Sequence, residues 1–512
     1  MKIALLVIYF AVMVGIGIYC RKHTTDVNGF VLGGRSVGPW LTAFAYGTSY
    51  LSAVVFVGYA GQFGWKYGVA ATWAGIGNAI LGSLVAWVVL GRRTRIMTQH
   101  FNSATMPQFF GQRFQSKSLK IGASIIVFVF LIPYTASLFN GLSRLFGMAF
   151  HIDYTVCIIL MGILTGIYVI AGGYMATAIN DFVQGCVMLV GIIAVIAAVL
   201  HSQGGFTAAL HSMAAVSDPE ALNGTVPGIY ASFFGPDPIN LLGVVVLTSL
   251  GTWGLPQMVQ KFYAIKSEEA IHKGTIISTL FALLISGGCY FLGGFGRLFS
   301  DKLDIAADGY DAIIPAMLSG LPDILIAVVV VLVLSASMST LSSLVLASSS
   351  TLTLDFLKDH FIKDMDEKRQ IRIIRGLIVV FIAISVVLAI IQYRSSVTFI
   401  AQLMGVSWGA LAGAFLAPFL YGLYWKKATS AACWASFLFS TVVMLSNIFV
   451  GSRFPVLLQS PINAGAFCML AGLVIVPVVS LFTRKPDPVL VEDAFSCYNK
   501  PVIVAQREAL GD

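Results

Sequence analysis

The sequence predicts an all-α, polytopic membrane protein of 13 transmembrane helices, arranged as an inverted five-plus-five helix repeat. Three observations predict it. The chain is 58% hydrophobic and only 11% charged over 512 residues, whereas soluble domains carry about 25% charged residues. Apolar stretches long enough to cross a bilayer, which takes about 20 residues, recur from end to end. Two of those stretches, five spans apart, are interrupted by Gly, Pro and hydroxyl residues.

The spans fall at approximately 2–20, 37–61, 66–91, 119–146, 154–173, 177–200, 238–262, 271–297, 323–351, 373–391, 396–424, 429–451 and 461–483. The first has one Lys before it and no small-residue cleavage signal after it, so it is read as a retained span. Lys and Arg concentrate on one side. That set includes Arg21, Lys22 and Arg35, the cluster Arg92 to Lys120, Lys261, Lys266 and Lys273, Lys358 to Arg375, Lys426 and Lys427, and Arg484 to Arg507. Positive charge stays inside, so the N-terminus is expected outside and the C-terminus inside, which requires an odd number of spans. The net charge of +8 then reports inner loops, and no nucleic-acid partner is expected. No Arg or Lys is expected within the middle of any span. The long outer loops, 201–237 and 298–322, have room for short helices.

The densest polar feature is Ser335-Ala336-Ser337-Met338-Ser339-Thr340-Leu341-Ser342-Ser343, at the end of a greasy run. On a helix, Ala336, Ser339, Thr340 and Ser343 share one face. Oxygen ligands without formal charge suit a hard monovalent cation. Ser and Thr also glue membrane helices together, which is the plainer reading of the motif alone.

The interruptions are Tyr46-Gly47-Thr48-Ser49-Tyr50-Leu51-Ser52 in span two and Gly251-Thr252-Trp253-Gly254-Leu255-Pro256 in span seven. Unwound backbone at membrane depth is tolerated where it lines a cavity, and paired breaks in two halves point to a transporter binding site. An odd separation gives the two units opposite topology. Asp181, at the inner end of span six, is a carboxylate near membrane depth and hence a functional candidate. Seven scattered histidines and seven cysteines without a CxxC pair predict neither a metal centre nor a disulfide framework. No HExxH, GxSxG, Walker or Rossmann pattern occurs in usable context, so no enzyme and no catalytic residues are predicted.

These residues together resemble the sodium/solute symporter family over roughly residues 5–483. The resemblance is carried by Phe30-Val31-Leu32-Gly33-Gly34-Arg35-Ser36, by Thr105-Met106-Pro107 through Arg113-Phe114, by Gly172-Gly173 with Asp181 and Gln184, and by Ala336 to Ser342. It implies a LeuT-type core within a single transporter domain, 1–512. The parts are an extra N-terminal helix (2–20), a first repeat (37–200), a second repeat (238–424), two C-terminal helices (429–483) and a cytoplasmic tail (484–512). It implies a shared sodium site of Thr48 and Leu51 (backbone), Ala336 (backbone), Ser339 and Thr340. It also implies residues for a second sodium, Asp181, Ser339, Ser342 and Ser343. The setting implied is a bacterial inner membrane, the partners are the lipid bilayer and a small-molecule substrate, and the working unit is a monomer.

The solute is expected between the two breaks, near Tyr46, Tyr50, Thr252, Trp253 and Gln402, with Tyr134 in reach. Aromatic rings supply apolar walls with polar edges, and Thr252 and Gln402 supply orienting hydrogen bonds. The overall similarity is to the proline branch, but Tyr50, Thr248 and Thr252 depart from its substrate residues. The expected activity is sodium-coupled import of an amino acid or monocarboxylate-like solute. The alternatives are a sodium/proline symporter proper, or a sodium-independent, proton-coupled or channel-like permease.

Overall fold

The computed structural model describes residues 2–21, 26–49, 52–150, 153–305, 309–358, 361–362, 365–395 and 400–499. Among them the regular elements are helical, and the β-type contact is an isolated parallel bridge between Val37 and Ile265. The principal helices are α1 (Lys2–Cys20), α2 (Pro39–Thr48), the helical run α3 (Val54–His100), α4 (Lys117–Phe150), α5 (Tyr154–Ser202), α6 (Pro238–Gly254) and α7 (Pro256–Ala264). They continue with α8 (Glu268–Gly293), α9 (Asp323–Thr351), α10 (Glu367–Ser395), α11 (Ile400–Tyr424), α12 (Ser430–Val450) and α13 (Pro461–Phe482).

Among the described residues, nine helices are long and apolar enough to cross a membrane, or ten with α6 and α7 taken as one bent span. The two longest runs each contain a break that only glycine suits. In α5, Gly173 has φ +56, and a Cβ there would lie 2.7 Å from the Phe30 carbonyl oxygen. In α3, Gly68 has φ +64, and a Cβ would lie 2.1 Å from the Tyr230 carbonyl oxygen. L-residues rarely adopt these conformations.

The expected interruptions are present. Helix α2 stops at Thr48, Ser52 is not helical, and helix is present again from Ala53. Helix α6 stops at Gly254, bends by 47°, and α7 begins with Pro256. Pro256 lacks an N–H and pushes Leu255 out of the helical region, to φ −83, ψ 122, while fitting the first position of the next helix. Short helices Phe206–Ala215 and Ile313–Leu318 occupy the two long loops, as anticipated.

Helix α9 lies at the centre. Its second half, Leu332 to Thr351, is buried throughout, against α4, α5 and α10. Outward faces carry exposed apolar side chains such as Val88, Val190, Ile193, Val379 and Leu481. In a bilayer such a surface is solvated by lipid, since backbone polar groups are already satisfied within the helices.

Candidate functional site

The hydroxyl-rich face of α9 meets the end of α2. Ser339 Oγ donates to Thr48 Oγ1 at 2.8 Å, and Thr340 Oγ1 donates to the Ala336 carbonyl at 3.1 Å. Thr48, Ala336, Ser339 and Thr340 are all buried. Tyr50 and Leu51 lie outside the described residues. Where helix resumes, the Ala53 N–H donates to Ser337 Oγ at 3.1 Å, and Ser337 Oγ donates to the Val333 carbonyl. On the opposite flank, Tyr168 OH donates to the Met338 carbonyl at 2.8 Å. Helix α9 is therefore pinned from both sides where its hydroxyls cluster.

This donor set is oxygen-only and carries no formal charge. Each hydroxyl is both donor and acceptor, so rotating its O–H turns lone pairs toward an arriving cation. The set suits a hard monovalent ion rather than a transition metal.

One turn further along α9, Ser342 Oγ donates to the Ser339 carbonyl at 2.9 Å. Ser343 Oγ accepts from Lys261 Nζ at 3.0 Å, and that ammonium lies 3.6 Å from Asp181 Oδ2. It also sits 5.2 Å from the centre of the Tyr174 ring. The side chains of Lys261 and Asp181 are 1% and 0% exposed. Lys261, expected in an inner basic loop, instead lies on helix α7 with its ammonium buried against α5 and α9. After the bend at Leu255, α7 runs through the protein interior, and all nine of its residues are buried.

The start of α2 and the end of α7 are tied together. Val37 N–H donates to the Ala264 carbonyl and Lys266 N–H to the Val37 carbonyl, at 3.2 and 3.0 Å. Buried Arg35 donates to the carbonyls of Tyr263, Thr98 and Ser103. Thr105 caps the helix Met106–Arg113 and donates to Asp355 at 2.6 Å, while Arg113 donates to the carbonyls of Gly422 and Trp425.

The expected substrate residues divide into three places. Tyr46 OH donates to the Gly82 carbonyl at 2.8 Å, Thr252 Oγ1 shares its proton between the Gly82 and Ser249 carbonyls, at 3.1 and 2.9 Å, and Trp253 Nε1 donates to the neighbouring Leu81 carbonyl at 3.0 Å. Tyr134 stands edge-on to Trp408, 5.9 Å between ring centres, beside Ser52 and close to Tyr59 and Tyr290. Gln402 lines a separate cavity of about 1070 Å³ with Gln62, Lys66, Asn240 and Asn463, next to the long-loop residue Asp218 and to Arg297.

Sequence reasoning missed Lys261, Ser337, Trp408, Tyr59 and Tyr290. Among the described residues, Tyr59 OH, Tyr290 OH and Trp408 Nε1 make no hydrogen bond.

A family model described as the sodium:solute symporter family matches residues 30–439. The chain belongs to that family. The symporter is 29% identical over 483 residues to the osmoregulated proline transporter OpuE of Bacillus subtilis, covering 94% of each chain. It is 30% identical over 496 residues to a sodium/proline symporter of Staphylococcus aureus, covering 94% of this chain and 93% of that one. Its fold matches a Na+-coupled sialic acid symporter with a TM-score of 0.74 at 16% identity, over 95% of this chain and 98% of the other. It also matches a nucleobase-cation-symport-1 family transporter with a TM-score of 0.54 at 13% identity, over 91% and 97%. The symporter therefore has a LeuT-like helical fold. It is a multi-pass plasma-membrane protein that couples solute transport to sodium, and it is a transporter rather than an enzyme.

Proposed function

We propose that the symporter imports a small organic solute, an amino acid or a monocarboxylate-like molecule, with sodium by alternating access. The observation that carries this reading is the Ser339–Thr48 hydrogen bond of 2.8 Å, which joins the oxygen face of α9 to the broken end of α2. Sodium is held by the carbonyls of Thr48, Leu51 and Ala336 and the hydroxyls of Ser339 and Thr340. The C-terminal end of α2 carries partial negative charge, which favours a cation there. The sequence also nominates Asp181, Ser339, Ser342 and Ser343 for a second cation, beside which the Lys261 ammonium stands.

Of the three places into which the expected residues Tyr46, Tyr134, Thr252, Trp253 and Gln402 divide, the solute binds at Tyr134. Tyr134 has the surroundings that best suit it: Ser52 and Trp408 beside it, and the unpartnered hydroxyls of Tyr59 and Tyr290 close by. The restarted α3 and α7 both begin near the breaks, and helix N-termini favour a carboxylate. A compact zwitterion or carboxylate fits this arrangement. Proline is the first candidate, since two relatives of about this length are named for it.

The topology we infer has 13 spans. It counts α1, α2 continued into the first part of α3, the remainder of α3, the two halves of α5 either side of Gly173, and α6 with α7 as one. The N-terminus is outside, the C-terminus is cytoplasmic, two repeats of opposite topology form the core, and a monomer is the working unit. The test is uptake by reconstituted proteoliposomes of labelled proline, other amino acids and monocarboxylates, with and without an inward sodium gradient. Saturable, sodium-dependent accumulation of one solute class supports the reading; a leak that only equilibrates solutes refutes it.

A further inference from the structure

Lys261 reaches from α7 to α5 and α9. Its ammonium lies 3.6 Å from Asp181 Oδ2, donates to Ser343 Oγ at 3.0 Å and faces the Tyr174 ring at 5.2 Å. Asp181 and Ser343 are two of the residues that a second sodium ion would require. Resting on the sodium-site reading above, we propose that Lys261 is a tethered cation: its ammonium fills the second cation position, so the symporter binds one sodium ion per chain.

An ammonium and a sodium ion carry the same charge and seek the same oxygen atoms. The charges at this point are one carboxylate from α5 and one ammonium from α7, with hydroxyl and ring groups of Ser339, Ser343 and Tyr174 around them. One carboxylate compensates one buried cation. A sodium ion added beside Asp181 would meet a like charge in a buried site, where it is screened least. The Lys261 ammonium, 3.6 Å from Asp181 Oδ2, is the cation that balances this carboxylate. The same contact bridges the half-helix after the α6–α7 bend to α5 and α9, the helix that also carries Ser339 and Thr340. The first sodium and the lysine ammonium therefore sit about one turn apart on a single face of α9.

A mere staple between helices predicts no change in ion count when the lysine is removed, whereas a tethered cation does. The test is equilibrium binding of radioactive sodium to the purified full-length protein, without solute. We expect one ion per chain in the wild type, two in Lys261→Met, and one again in Lys261→Met/Asp181→Asn. Two ions in the wild type overturn the proposal, as does a folded Lys261→Met that still binds one. Where Lys261→Met does not fold, the wild-type count and Lys261→Gln take its place. Sodium binding that is absent from the wild type, or one-ion binding that Ser339→Ala leaves untouched, overturns the shared-site reading itself and is distinguishable from both results above.

Discussion

Ser339 on α9 donates a 2.8 Å hydrogen bond to the hydroxyl of Thr48, the last helical residue of α2, across 291 residues of sequence. The two helices meet where one is continuous and the other breaks. A continuous helix offers a regular face of hydroxyls, and a broken one frees carbonyls that no longer serve its own ladder. A cation held between them is sensitive to their separation, which is how ion binding can bias the conformational cycle of a transporter.

Ser339→Ala and Thr340→Ala should each raise the sodium concentration for half-maximal uptake by about tenfold or more. A hydrogen-bonding oxygen facing a charge contributes roughly 1.5–3 kcal/mol. Solute affinity at saturating sodium should change less. Sodium-activation curves for both variants check this; superimposable curves would remove these hydroxyls from the ion site.

Asp181→Asn leaves the Lys261 ammonium buried without its counter-charge. Removing one partner of a buried pair costs about 3–5 kcal/mol. Thermal unfolding in detergent should show a large loss for Asp181→Asn and a smaller one for Asp181→Asn combined with Lys261→Met. Asp153→Asn is the control. Asp153 caps α5 by accepting from the Thr155 and Val156 N–H groups, and Asn caps a helix about as well as Asp.

Tyr46→Phe and Thr252→Val remove two donors to the same Gly82 carbonyl. Each should cost about 1 kcal/mol. Their effects should be non-additive, because the two bonds share one acceptor. A double-mutant cycle on unfolding measures the coupling. A raised KM at unchanged stability would instead put both side chains against the solute.

Tyr134→Phe and Trp408→Phe should raise the KM for the transported solute by about tenfold, the scale of one hydrogen bond left unmade. Sodium binding without solute should be unaffected. Kinetics and sodium binding on the same preparations separate these effects, and an unchanged KM in both variants would place the solute elsewhere.

The backbone breaks were legible because their causes are local. Pro256 cannot continue α6, and the Gly and hydroxyl run before Ser52 weakens α2. The face of α9 followed from helical periodicity alone. The depth of Lys261 was not legible. It depends on the direction α7 takes after a 47° bend, and that direction is set by packing. The same holds for Tyr46 and Thr252, whose hydroxyls turn to the Gly82 carbonyl only because the fold brings α3 alongside. Gln402 was placed with Trp253 by span order, but the start of α11 lies beside the long-loop residue Asp218 and beside Arg297.

The central claim is that sodium bound between α2 and α9 drives solute accumulation. Its most direct test is uptake of labelled proline, or of the solute that a panel identifies, into proteoliposomes carrying either an inward sodium gradient or an inward proton gradient. The account predicts accumulation above equilibrium with sodium alone, and its loss in Ser339→Ala at the same sodium concentration. Accumulation driven by the proton gradient alone, with sodium and Ser339→Ala without effect, would contradict it.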